Sequence, residues 1–245
     1  MKLITLNTWG AQVREPFLDF IRKNRDIDVF CFQELYDQAE PILGVRYPKA
    51  HFNLFSDIKK LLPNHIGFFR PILEGVYGIG IFIKKDIEVI EEGEISVHTD
   101  TRTSKESLFS GHHGRSLQWI KLKTSNKAYS ILNIHGLWNG QGKTDTPERL
   151  SQSQKIKDFL DTIKTPKILC GDFNLRPDTE SIKMLEQNMN NLIKTFGVET
   201  TRTSLYTKPE KHADYIFTSP EIKINHFEVM PDVISDHAPL LLDFN

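Results

Sequence analysis

The chain has 245 residues with 31 basic and 32 acidic side chains, a formal net charge of −1; that length can bury a large core and implies one domain over 1–245. The near-neutral balance supplies no global positive field to draw the molecule to nucleic acid or an anionic membrane, although a local cleft can still be basic. No apolar stretch approaches the ~20 residues needed to span a bilayer. The cysteines, Cys31 and Cys170, sit inside apolar runs and read as buried thiols rather than a disulfide framework. With no signal-like N-terminus, a cytoplasmic monomer is expected.

Leu3–Leu6 reads as a first strand that delivers Asn7-Thr8-Trp9-Gly10 at its end. A helix is expected from Pro16, a residue tolerated in a first helical turn, with Phe17, Phe20 and Ile21 on one face. Val29–Phe32 is a second strand ending in Gln33-Glu34, and a buried glutamate at such a point needs a cation or a base as its partner. Further strands are expected over Gly78–Lys84, Leu117–Leu122 and Ala128–Ile134, with Ser125-Asn126-Lys127 as a turn. Trp138–Asp145 reads as a mobile, substrate-facing loop. Thr146 can then cap a second helix that Pro147 opens, and Ile156, Phe159, Leu160 and Ile163 recur at helical spacing.

The apolar run Lys167–Cys170 lies between Pro166 and Gly171 and reads as a buried strand. It ends in Asp172-Phe173-Asn174, where Asp172 and Asn174 are two apart and share a face. A third helix is expected from about Asp178, with Ile182, Leu185 and Met189 inward, followed by strands over Ala213–Phe217 and Lys223–Val229. The chain closes with Ser235-Asp236-His237-Ala238-Pro239 before the apolar run Leu240–Leu242. Neighbouring side chains on an extended strand face opposite ways, so Asp236 and His237 can serve one site only if the backbone bends there. Pro239 holds Ala238 extended and confines the irregular backbone to Ser235–His237. Many strands with few helices imply two packed sheets covered by helices on the outside.

One alternative comes from another class. Gly140-Gln141-Gly142-Lys143-Thr144, between a strand and a helix, with Ile168–Asp172 as a second strand, is similar to a nucleotide-binding P-loop. The spacing fails, because the first glycine would fall at position 137, which is Leu137, and Gly136 is one residue early. A helix starting at Pro147 also begins too late to place Lys143 at its N-terminus. No His-Glu-x-x-His or paired Cys-x-x-Cys supports a zinc site.

The ordered set Leu6-Asn7-Thr8-Trp9, Gln33-Glu34, Asn133-Ile134-His135, Gly171-Asp172-Phe173-Asn174, Asp214-Tyr215-Ile216 and Ser235-Asp236-His237 resembles the endonuclease/exonuclease/phosphatase superfamily. This DNase I-like group includes AP endonucleases, neutral sphingomyelinases and inositol polyphosphate 5-phosphatases. The resemblance implies an α/β (α+β) fold, a four-layer sandwich of two packed mixed β-sheets flanked by helices. It also implies divalent-metal-dependent hydrolysis of a phosphoester, a phosphodiester foremost, with Mg²⁺ as cofactor and Mn²⁺ as its substitute. Glu34 matches the principal metal ligand, with Asn7 and Asp236 nearby. Asp172 would orient or deprotonate the attacking water, and Asn174 would steady the phosphoryl group. His237 would pair with Asp214, His135 would meet the leaving oxygen, and either Asp172 or His237 would be the general base.

Two positions depart from the pattern. Gly136 follows His135 where many members carry leucine, and His212 stands where many carry arginine. Substrate contacts are expected from Arg115, Trp138 and Lys143, and from Phe68-Phe69-Arg70; Arg115 reads equally as a solvated residue at a strand start, and His112 and His113 as loop residues. The loops carry no evident basic cluster, which favours a small phosphodiester or phosphorylated metabolite over DNA or RNA. A nuclease remains the alternative. A non-catalytic binding domain on the same fold is disfavoured, since every reactive position holds a competent residue.

Overall fold

Apolar residues that alternate along the strands build two six-stranded sheets, in a computed structural model that describes residues 1–39, 49–73, 75–99, 113–125 and 127–245. His112 and Asn126 lie outside the described residues. The first sheet contains β1 (Lys2–Asn7), β2 (Val29–Tyr36), β3 (His65–Leu73), β4 (Tyr77–Lys84), β11 (Ile224–Val229) and β12 (Leu240–Phe244), in the order β11-β12-β1-β2-β4-β3. The second contains β5 (Glu88–His98), β6 (Arg115–Lys123), β7 (Ala128–His135), β8 (Lys167–Asp172), β9 (Asn190–Asn191) and β10 (Asp214–Thr218), in the order β5-β6-β7-β8-β10-β9. Each sheet has one parallel pair at its centre, β1 with β2 and β7 with β8, flanked by antiparallel neighbours. The two sheets therefore share one pattern of strand directions.

Helices cover the outer faces. α1 (Arg14–Lys23) and α2 (Leu54–Leu61) pack Phe17, Phe20, Ile21, Leu54 and Ile58 onto Ile4, Leu6, Phe30, Phe32 and Phe82 of the first sheet. α1 begins two residues before Pro16, which stays in the first turn where its missing N–H costs nothing. α3 (Pro147–Thr162) buries Ile156 and Leu160, and Thr146 caps it by accepting from the Arg149 N–H at 3.4 Å. α4 (Glu180–Glu186) and the single turn α5 (Leu192–Thr195) complete that layer; Met189, expected on the third helix, falls just beyond α4.

The inner faces meet in one core. Four rows run along it toward the same end: Leu3, Thr5, Asn7; Val29, Cys31, Gln33; Ile131, Asn133, His135; and Ile168, Cys170, Asp172. Each begins apolar and ends polar. Where polarity sets in, the sheets are tied by Gln33 Nε2 donating to Asn133 Oδ1 at 2.7 Å and Asn133 Nδ2 to the Phe32 carbonyl at 3.1 Å. Buried amides of this kind are costly unless paired; here they pair with each other, leaving Gln33 Oε1 without a partner.

Candidate active site

The central parallel strands end together. Asn7 and Gln33 are register partners, as are His135 and Asp172, so each sheet presents two adjacent strand ends to one cavity. Glu34 would point away from that cavity in a regular strand, because Gln33 already occupies the inward position. A register shift between Phe32 and Leu35 breaks the alternation, and Glu34 takes φ 57°, a left-handed conformation rare for such a side chain. The bulge re-aims the carboxylate into the site. Asn174 takes φ 56° for the corresponding purpose after β8.

Two glycines permit the approach of β7 to β8. Gly171 sits at φ 134°, and a Cβ there would lie 2.1 Å from the Ile134 carbonyl oxygen. A Cβ at Gly136 would lie 2.4 Å from the Phe173 carbonyl oxygen. The departure after His135 thus has a structural use: the Gly136 carbonyl accepts from Arg115 Nε at 3.0 Å and Asn174 Nδ2 at 3.2 Å.

Asp172 is at the centre. Its Oδ2 accepts from Asn7 Nδ2 at 3.0 Å and its Oδ1 from the Asn174 N–H at 2.8 Å. His237 Nε2 lies 3.7 Å and His135 Nε2 3.8 Å from Asp172 Oδ2. Asn7 Nδ2 also donates to Glu34 Oε1 at 3.1 Å, while Asn7 Oδ1 accepts from the Trp9 N–H at 2.9 Å. His237 Nδ1 is 2.8 Å from both oxygens of Asp214, and its Nε2 is 3.8 Å from Asp236 Oδ1. The bend foreseen at Ser235–His237 is held by Ser235 Oγ, which donates to the Asn7 carbonyl at 2.7 Å and accepts from the His237 N–H.

Electrostatics divides these groups. Burial pushes the Glu34 carboxyl above its ordinary value, with the charges of Asp236 and Asp172 adding, while the Asn7 amide and His237 draw it back. Burial also acts upward on Asp172, but His237, Lys143, His135 and Arg202 together hold it well below the usual carboxylate range. For His237 burial acts downward and is outweighed by Asp214 and Asp172, so its pKa is raised. For His135 the charge of Asp172 is outweighed, and burial and then the Arg115 cation push it down to about 3. One histidine is held toward the cation and the other is neutral.

Asn7, Glu34, Arg115, His135, Trp138, Lys143, Asp172, Asn174, Asp214, Asp236 and His237 fall at this end of the sandwich, whereas Phe68-Phe69-Arg70, expected to contact substrate, lie on β3 and do not line the cavity, Arg70 pairing with Glu92. Arg115 is 2 % exposed and clamps backbone carbonyls, which corrects the solvated reading. His113 is buried and lines the cavity. The loop over Trp138–Asp145, expected to be mobile, is pinned. Arg149, 0 % exposed, donates to the carbonyls of Leu137 and Thr144, Gln152 accepts from the Leu137 N–H, and Asp145 accepts from the Glu180 and Ser181 N–H groups. Lys143 is thereby buried with Nζ 2.8 Å from Asn174 Oδ1, far from a P-loop geometry. His212 binds the Val198 carbonyl at 2.9 Å and stays outside the site.

Arg202, Tyr206 and Lys208 also line the cavity, which has a volume of about 680 Å³. They lie on an irregular segment without periodicity or motif. The bridge pairing Arg202 with His237 delivers them.

Asp172, Asp214 and His237 present ligand atoms within 4.8 Å of one another. His237 Nδ1 already faces Asp214 at hydrogen-bond distance, so this trio is a hydrogen-bonded dyad beside a carboxylate. Glu34 and Asp236, oxygen donors that line the same cavity, are the residues that could hold a hard divalent ion.

The Endonuclease/Exonuclease/phosphatase family model matches residues 4–237. A comparison with curated proteins gave no match. Among solved structures, the Bacteroides thetaiotaomicron mannosyl-6-phosphatase is similar at 17 % identity and TM-score 0.74, over 100 % of this chain and 99 % of that one. The catalytic domain of human Nocturnin with bound sulfate is similar at 18 % identity and TM-score 0.70, over 100 % and 93 %. Truncated Caenorhabditis elegans TDP2 is similar at 18 % identity and TM-score 0.69, over 99 % and 96 %. These likenesses show the DNase I-like fold of two packed mixed sheets with flanking helices. The chain belongs to the endonuclease/exonuclease/phosphatase family of hydrolases.

Proposed function

We propose that the chain is a divalent-metal-dependent phosphoesterase acting on a small phosphorylated molecule. The observation that carries this reading is the convergence of Glu34, His135 and His237 on Asp172, with ring nitrogens 3.7–3.8 Å from its carboxylate, at one cavity. A fully protein-paired cluster would close those gaps. The cavity these residues line has room for a water and a phosphoryl oxygen.

Glu34 and Asp236 would hold Mg²⁺, or Mn²⁺ in its place. The donor set fits, since Glu34 and Asp236 are oxygen donors whose charges repel, and a divalent ion would offset that repulsion. Such an ion, when bound, offsets phosphoryl charge and stabilises the leaving oxygen. Asn7 meets Glu34 and Asp172 through its N–H groups, so its role is to position them rather than to ligate.

Asp172 orients the attacking water, both of its oxygens being fixed by Asn7 and the Asn174 N–H. Asp172 or His237, whose Nε2 lies 3.7 Å from Asp172 Oδ2, takes the proton as the P–O bond forms. His237 turns Nε2 toward the phosphoryl oxygens and stabilises the charge that grows there. His135, neutral, donates a hydrogen bond to the leaving oxygen.

A cavity of about 680 Å³ is of metabolite size. Trp9, Trp138 and Tyr206 on its lining offer stacking surface, which keeps a nuclease as the second reading. The test is a panel of sugar phosphates, nucleotides, inositol phosphates, sphingomyelin, RNA and DNA with Mg²⁺ at two salt concentrations. Turnover of a small phosphoester that stops in chelator is expected. Activity that survives exhaustive chelation overturns the metal requirement, and efficient cleavage of duplex DNA that collapses at the higher salt makes the protein a nuclease.

A further inference from the structure

Resting on the phosphoesterase reading, we propose that Lys143 and Arg202 grip the phosphoryl group directly and that the substrate is a phosphomonoester, the dianion with a single esterified oxygen. Both cations are withdrawn from solvent, Lys143 at 4 % exposure and the Arg202 side chain at 6 %, and both line the cavity. Each touches the reaction centre through a polar contact that leaves most of its donors unused. Lys143 Nζ meets Asn174 Oδ1 at 2.8 Å, and Arg202 Nη1 meets Asp236 Oδ2 at a long 3.4 Å. Arg202 Nε is buried with no hydrogen-bond partner. An ammonium offers three donors and a guanidinium five, and burying so much unused capacity is costly unless an anion completes it.

Asn174 reinforces the assignment. Its carboxamide oxygen is occupied by Lys143 and its Nδ2 donates to the Gly136 carbonyl. It is a positioning residue that aims Lys143.

The wall behind these cations selects the ester class. The Trp138 ring lies 5.5 Å from Lys143 Nζ, and Tyr206 stacks 4.0 Å from the Arg202 guanidinium. Arg149 pins the loop that carries Trp138 and Lys143, so this wall is fixed. In an in-line displacement a diester's second ester arm takes one of the three equatorial positions on phosphorus, where it offers no charge to two ring-backed cations that line the cavity. A monoester places an unesterified oxygen there, and its second negative charge matches the second cation.

The test compares p-nitrophenyl phosphate with methyl p-nitrophenyl phosphate in Mg²⁺ or Mn²⁺, for wild type, Lys143→Met and Arg202→Met. In parallel, thermal unfolding is followed with inorganic phosphate as the probe. The wild type is expected to prefer the monoester by about tenfold or more in kcat/KM, with each substitution lowering monoester turnover ~10²-fold and diester turnover at most about tenfold. Phosphate should raise the melting temperature of the wild type and of neither variant, and Lys143→Arg should recover part of both effects. Should a methionine variant not fold, the glutamine variant carries the same comparison. Preferred hydrolysis of the diester, equal losses on both esters, or phosphate stabilisation undiminished in the variants overturns the proposal. A wild type that hydrolyses neither ester yet binds phosphate overturns the phosphoesterase reading, and the substrate class with it.

Discussion

His237 meets Asp214 through Nδ1, 2.8 Å from each carboxylate oxygen, and Thr201 Oγ1 braces that carboxylate by donating to Oδ2 at 3.0 Å. The contact fixes which ring nitrogen carries a proton and turns Nε2 toward Asp172. Asp214→Asn removes the charge that favours the imidazolium. A kcat loss of ~10²–10⁴ is expected, with KM little changed and no recovery on adding metal. A variant that regains activity in excess metal would move Asp214 into the metal set.

Glu34 and Asp172 should separate by metal titration. Glu34→Gln removes one ligand charge, so its activity recovers in part at high Mg²⁺ or Mn²⁺, whereas Asp172→Ala stays inactive at any concentration. Equal recovery of both would show that their roles are wrongly divided.

Glu34 is also strained. Its left-handed backbone costs roughly 1–2 kcal/mol, and burial disfavours its charge. Metal-free Glu34→Gly should therefore be inactive yet unfold at a higher temperature than metal-free wild type. A lower melting temperature would show that the Asn7–Glu34 contact matters more than the strain.

Arg149→Met tests the pinned loop. It leaves the buried carbonyl of Leu137 without this donor and breaks the bond to the Thr144 carbonyl, and about 1–3 kcal/mol is expected for the buried group. Activity on phosphoesters should fall as well, through misplacement of Lys143, although Arg149 lies behind the loop. Urea unfolding together with turnover checks both.

Asp145 links the same loop to α4 by accepting from Glu180 N, Ser181 N and Ser181 Oγ at 2.7, 3.0 and 2.6 Å. Burial acts upward on its pKa, but these donors outweigh it and the folded value is lowered. A lowered folded pKa means a contribution fully present above the unfolded value of ~3.9 and lost as pH falls through the folded one. Asp145→Ala should cost about 1 kcal/mol at neutral pH, with the gap to wild type closing in acid. A pH-independent gap would assign the loss to packing instead.

Much of this was legible in the residues because the central strands are buried on both faces and written in apolar runs. Leu3–Leu6, Val29–Phe32 and Lys167–Cys170 could be placed for that reason, and their ends carried Asn7, Glu34 and Asp172. The edge strand β11 was placed over Lys223–Val229, but the edge strands β5 and β3 were not legible. β5 reads Glu-Val-Ile-Glu-Glu-Gly-Glu-Ile-Ser-Val-His and β3 reads His-Ile-Gly-Phe-Phe-Arg-Pro-Ile-Leu. One face of each edge meets solvent, so the periodicity is diluted. Burial of Arg115 and Lys143 was hidden for another reason. Backbone carbonyls and the Asn174 amide receive these cations, and such acceptors leave no mark on side-chain pattern. Arg202 was missed because its place depends on the bridge to His237, across 34 residues from the Asp236 it touches.

The tie between Ser235 and the Asn7 carbonyl joins residues 228 positions apart, and at the other end of β1 Met1 N donates to the Phe244 carbonyl across 243. β12 sits between β11 and β1, in the interior of its sheet. During folding, β1 therefore waits with one edge open until the far end of the sequence arrives. Closing so large a loop is entropically slow, and the open edge is exposed to wrong pairings meanwhile. The same closure carries Asp236 and His237 to the cavity that Glu34 and Asp172 line, so the proposed active site is completed only when the last strand is in place.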